Sequence, residues 1–261
     1  MDLASSLQQR FQGLVLGLAM VPISQATLSN QAAQDTSPEI KPLTRSLDHA
    51  IASFGLAQIE HFLQAPSTYL DTYREVHPPE LSFSSSFDRD AYLFLSALPG
   101  LVRYYSNQEM RQQWLKRFLS PQWLLSYPTL LYFGDLLAVS LRGPCRQHLR
   151  LEVPAQTALI HPAIKMAACQ LCQRSADYRV AVRLAHCQSA IAASLTGSLL
   201  GAMGGRAIFS ALWQTSTAPL ARPVASLLSL ADDLFKLWGG VSATFSDDPG
   251  LSHPALEMPL S

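Results

Sequence analysis

From Gln188 to Gly205 the chain carries no charged side chain, and Gly197, Gly201 and Gly205 recur within that stretch at four-residue intervals. Four residues is close to one helical turn, so on a helix the glycines share a face and let a neighbouring backbone approach closely. The stretch is barely long enough to span a bilayer. It is also rich in Ala, Ser and Gly rather than Leu and Ile, which weakens its transfer into lipid. A helix buried among other helices is the expectation, ahead of a membrane span.

Composition supports helices throughout. Leu and Ala exceed a quarter of the 261 residues, and β-branched residues are sparse, the balance of packed helices rather than strands. Only 15% of residues are charged, below the roughly 25% of ordinary soluble domains. The predicted fold is all-α, with a single domain over residues 1–240. Lys and Arg total 19 against 19 Asp and Glu, which removes the basic field that nucleic acid or anionic lipid would require. Four cysteines in a chain of this length do not make a disulfide scaffold, so a reducing, cytoplasmic setting is expected.

Along the chain, Arg10 precedes an apolar run from Phe11 to Ile23, with Ser24 and Ala26 placed like a signal-peptidase site. Against export, Phe11, Leu14, Val15, Leu18 and Ala19 fall at helical spacing, as in the first helix of a bundle. A polar loop is predicted over about 27–46, with Pro38 and Pro42. An amphipathic helix follows from Leu47 to Leu63, ended by Pro66. A Pro- and Ser-rich loop over about 66–88 comes next. Further helices are predicted from Asp90 to Ala97 and from a capping box at Ser106 and Glu109, whose buried stripe is Met110, Trp114, Leu115 and Phe118. Others run from Pro128 to Leu141, Ile164 to Gln173, Tyr178 to Leu212 with interruptions, and Val224 to Trp238. Residues 241–261, with Asp247, Asp248, Pro254 and Pro259, read as a disordered tail.

Two stretches resemble a known family. Phe11-Gln-Gly13-Leu-Val-Leu-Gly17-Leu-Ala19 is similar to the opening helix of the ADP-ribosylglycohydrolases. Gly197-Ser-Leu-Leu-Gly201-Ala202-Met-Gly-Gly205, followed by Trp213, resembles that family's C-terminal glycine run, and Leu230-Ala231-Asp232 through Leu234 and Trp238 resembles its end. The resemblance implies a multi-helix ADP-ribosylglycohydrolase-like bundle. It also implies a dinuclear magnesium site built from carboxylates. The matching positions have lost them. The family's Gly-Asp falls on Val21-Pro22 and the closing glycine of that motif on Gln25. Its Asp-x-Asp-Thr falls on Gln188-Ser189-Ala190-Ile191, and its early acidic motif near His49-Ala50-Ile51-Ala52 beside Asp48. Without carboxylates, two divalent ions have nothing to balance their charge, so a catalytically inactive member of the fold is expected.

Other constellations are weighed on their residues. Asp232-Asp233 reads as a solvated helix face, since adjacent helical positions point about 100° apart. Cys169-Gln-Leu-Cys172, with Cys145, His148 and His186-Cys187, has the elements of a tetrahedral zinc site. Its place on a helix favours small buried hydrophobes that happen to be cysteine. Gly134-Asp135 reads as a helix face reaching solvent or an arginine, with Arg142 or Arg103 as candidate partners. His49 and His61 read as ordinary helix residues. No phosphate loop, nucleophile elbow or zinc-protease motif occurs. The expectation is a non-catalytic scaffold, without catalytic, cofactor or metal residues, that binds a protein partner or an ADP-ribose-like ligand without hydrolysis. The alternatives are an active hydrolase with ligands relocated to Asp48, Asp135 or Asp232, and a membrane-associated helical protein.

Overall fold

The computed structural model describes residues 3–22, 41–71, 86–142, 160–173, 177–209, 220 and 222–240. Gln25, Cys145, His148, Trp213 and the tail lie outside the described residues, as does the side chain of Asp48. The architecture is an all-α bundle: α1 (Leu3–Ala19), α2 (Lys41–Gln64), α3 (Ser86–Arg103), α4 (Gln108–Phe118), α5 (Tyr127–Arg142), α6 (Pro162–Cys172), α7 (Tyr178–His186), α8 (Ala190–Gly204) and α9 (Val224–Trp238). Short 3-10 turns at Pro121–Ser126 and Arg206–Phe209 complete it. Among the described residues there is no strand.

Several boundaries differ from expectation for identifiable reasons. Helix α2 begins at Lys41, not Leu47, because Pro42 falls in the first turn, where its missing N–H has no carbonyl to meet. Helix α3 begins at Ser86 and continues through Pro99 to Arg103, where Leu98, Leu101 and Val102 are fully buried. At α4 the cap is Asn107, not Ser106: its side chain accepts from the Met110 N–H at 3.1 Å. The run after Tyr178 is two helices, broken at Cys187 and Gln188 and restarted by Ser189, whose hydroxyl accepts from the Ala192 N–H.

At the centre α1 and α8 run antiparallel in backbone contact. A Cβ on Gly17 would lie 2.1 Å from the Gly197 carbonyl oxygen, and one on Gly201 would lie 2.0 Å from that of Gly13. The two glycine sets identified in sequence therefore face each other. Every residue of α8 from Ala190 to Ala202 is buried. Its end is fixed by Gly205, at φ 66°, a left-handed conformation that favours glycine. Tyr178 of α7 closes the same contact from the side. Its hydroxyl donates to the Gly17 carbonyl at 2.7 Å, and complete burial pushes the phenol well above its ordinary range. Phe11, Leu14, Val15, Leu16 and Leu18 of α1 are all fully buried, so this segment is core.

One helical stretch among the described residues has the length and apolarity to cross a membrane. It is Trp123–Arg142, with a mean hydropathy of 1.4, and 56% of its most apolar window is buried inside the bundle. Helix α8, at 15 residues, is shorter than a span needs.

Candidate functional site

The positions that the family resemblance assigns to metal ligands converge at one end of α1, α2 and α8. Val21 reaches Gly197, with its Cγ2 2.8 Å from where that glycine's Cβ would be. Helix α2 crosses Leu18 at Gly55 and meets α9 with Glu60, Leu63 and Gln64. That direction carries Ile51 and Ala52 toward the Val21 side. Val21, Ala52 and Ile191 are completely buried, and Ile51 and Ala190 nearly so. Ser189 has its hydroxyl committed to the α8 cap, while Gln188 is exposed. Among the described residues these positions supply no carboxylate for a hard cation, so they do not fit a magnesium pair.

Of the relocated candidates, Asp135 and Asp232 lie on different helices with different partners, and the side chain of Asp48 lies outside the described residues. Asp135 of α5 is paired with Arg111 of α4 at 2.5 Å, not with Arg142 or Arg103. Arg111 is 3% exposed and also donates to the carbonyl oxygen of Tyr105 just beyond α3. Burial lowers its pKa, opposed by the Asp135 carboxylate. Arg103 instead lies over the Tyr104 ring, 5.1 Å from its centroid. Asp232 corrects the expectation of a solvated face. Its Oδ1 accepts from Gln8 at 3.0 Å and from Gln12 at 2.9 Å, joining α9 to α1. Asp233 does face solvent, paired with Lys236 at 2.9 Å. Among the described residues no three His, Cys, Asp or Glu side chains gather to hold a metal ion.

The cysteines also differ from expectation. Cys169, Cys172 and Cys187 are free and exposed, not buried. They fall on the outer faces of α6 and the end of α7, whose inner faces are taken by Ala167, Ala168, Leu171, Val182 and Ala185. His61 packs edge-on against Tyr69, with ring centroids 5.4 Å apart.

A groove of about 420 Å³ lies between α2 and α9. Leu63, Leu230 and Leu237 give it apolar surface, and Gln64, Ser226 and Ser229 supply neutral polar groups. Arg222 pairs with Glu60 at 2.8 Å, and Lys236 pairs with Asp233. Both charges of each sign are neutralised within the groove, so it carries no net field for a phosphate. Neither a nucleophile beside a base nor a metal set lies among its lining residues. Sequence reasoning missed this groove, because Glu60 and Arg222 stand 162 residues apart and no local pattern links them.

The hydrogen bond from Arg222 holds the Glu60 carboxyl below its ordinary value of 4.5. A depressed folded-state pKa contributes stability above the unfolded value that is lost as pH falls through the folded one. The expected result is that Arg222→Ala changes stability by under about 1 kcal/mol at pH 7, since the pair is largely solvated. The wild type should lose that small margin below about pH 4.5, and the two denaturation curves should converge there.

No family model matches the chain, and no curated protein or solved structure matches it.

Proposed function

We propose that the chain is a non-catalytic helical scaffold of the ADP-ribosylglycohydrolase kind, acting in the cytoplasm by binding a protein partner, with the α2–α9 groove as the face it offers. The observation that carries this reading is the convergence of the family's ligand positions as Val21, Ile51, Ala52, Ala190 and Ile191. All are buried and apolar, where the chemistry needs carboxylates. The α1–α8 glycine contact supports the ancestry, since the quoted glycines are the ones that meet. The link from fold to role is analogy.

The active-hydrolase alternative has less support, because Asp135 and Asp232 are each engaged by a different helix and share no site. Incubation with magnesium or manganese and an ADP-ribosylated arginine peptide is expected to release no ADP-ribose. Release that vanishes in Asp135→Asn or Asp232→Asn would replace the scaffold reading with the hydrolase.

A further inference from the structure

We infer that Arg10, Arg142 and the Tyr105 hydroxyl form a binding site for the dianion of a phosphate monoester, at the corner where α1 meets the ends of α3 and α5. Arg10 donates to the Leu141 carbonyl at 2.8 Å, one residue before Arg142. Arg142 donates to the Ser106 carbonyl at 3.3 Å, one residue after Tyr105. The Tyr105 ring is held between Phe11, the chain neighbour of Arg10, with centroids 6.1 Å apart, and Trp238, with centroids 5.4 Å apart. These contacts tie both guanidiniums and the phenol to one corner of the bundle.

Helix C-termini draw arginines, and each of these two has one N–H committed to a carbonyl. A guanidinium carries five such donors, so most remain. Among the described residues neither arginine is paired with a carboxylate, and Glu109, the exposed acid in the first turn of α4, reaches neither. Tyr105 is a second, independent pointer to a ligand. It is only 5% exposed, yet its hydroxyl has no hydrogen-bond partner among the described residues. Burial pushes the phenol up to about 12, opposed by the nearby charges of Arg142 and Arg10. It therefore keeps its proton at neutral pH and stands as a donor within electrostatic reach of both cations.

Charge selects the class of ligand. Arg111 reaches the same corner, donating to the Tyr105 carbonyl, and Asp135 offsets it. Arg10 and Arg142 are left as the excess, against only about half a negative charge from each of the α3 and α5 C-termini. A phosphate monoester carries about −1.5 to −2 at neutral pH and three acceptor oxygens. That is enough to engage the phenol and both guanidiniums, whose planar forks match phosphate oxygens. A carboxylate offers a single charge and two oxygens. ADP-ribose has no terminal phosphate, so it is not a ligand of this class. The inference stands apart from the scaffold reading and does not rest on it.

The test is titration of the full chain with inorganic phosphate at low, fixed ionic strength. Binding is expected, and it should fade below about pH 6 as the dianion takes up a proton. Arg142→Gln, at an exposed position, should weaken it about tenfold, the effect of losing a hydrogen bond to a charged group. Tyr105→Phe should weaken it several-fold, and thermal unfolding of each variant checks that the fold is kept. A phosphoserine peptide titrated alongside separates the sources of the ligand. Tighter binding of the peptide than of inorganic phosphate, sensitive to the same variants, supports the site and assigns it to a phosphorylated segment of a partner. Equal or weaker binding of the peptide supports it as a site for a free phosphate compound. No binding at millimolar phosphate, equal affinity for acetate at matched ionic strength, or binding unchanged in both variants would each overturn the inference.

Discussion

Replacing Gly17 or Gly201 by alanine is expected to destabilise the protein by about 3 kcal/mol, at the upper end of overpacking costs, and replacement by leucine to prevent folding. The sign is the reverse of the usual one. In a helix interior, Gly→Ala normally gains roughly 0.5–1 kcal/mol from backbone entropy. Here the new methyl would stand 2.1 Å or 2.0 Å from a carbonyl oxygen of the opposing helix, and a helix backbone cannot swing aside as a side chain can. Relief requires α1 and α8 to move apart, losing dispersion contacts along the centre of the core. Gly55→Ala is the control. Its methyl would meet the methyl ends of Leu18 at 2.8 Å and Leu95 at 3.2 Å, which can rotate, so the loss should be much smaller. Denaturant unfolding of the three alanine variants decides it. Stability of Gly17→Ala at or above wild type would contradict the backbone contact.

Arg111→Ala is expected to cost about 3 kcal/mol, because it deletes a long, almost wholly buried side chain and leaves a cavity. Its removal also takes the counter-ion from Asp135, whose carboxylate water can reach, and the donor from the Tyr105 carbonyl. Asp135→Asn should cost a similar amount, about 3 kcal/mol, because it leaves the charge of Arg111, 3% exposed, without a counter-ion. In the double variant the losses should fall short of their sum, as expected for groups in one network. Strict additivity in a double-mutant cycle would show that the two act independently.

The fold was readable because helical periodicity is local. Val224–Trp238 falls within its predicted bounds, and the glycines every four residues marked the tightest contact in the bundle. Sequence reasoning failed where the partner was distant. The period of α4 runs through Arg111, Trp114, Leu115 and Phe118 at i, i+3, i+4 and i+7, and all four are buried. A buried arginine is uncommon without a partner, and Asp135 is 24 residues away, so the sequence pattern favours Met110 in that stripe. Asp232 was similarly placed on a solvated face. Gln8 and Gln12, one helical turn apart at the other end of the chain, were the only hint of its partner. The thiols of α6 were expected inside because cysteine is usually buried. The alternation of Ala167, Ala168 and Leu171 with Cys169 and Cys172 already assigned them to opposite faces.

On the proposed reading, the buried apolar positions Val21, Ile51, Ala52, Ala190 and Ile191 leave the chain without a magnesium site. Titration calorimetry of the full-length protein with magnesium, then ADP-ribose in the same cell, tests it most directly. The expected result is no binding heat from either addition. Tight magnesium binding followed by ADP-ribose binding that depends on the metal would contradict it, and would mean that carboxylates outside Val21, Ile51, Ala190 and Ile191 build a working site.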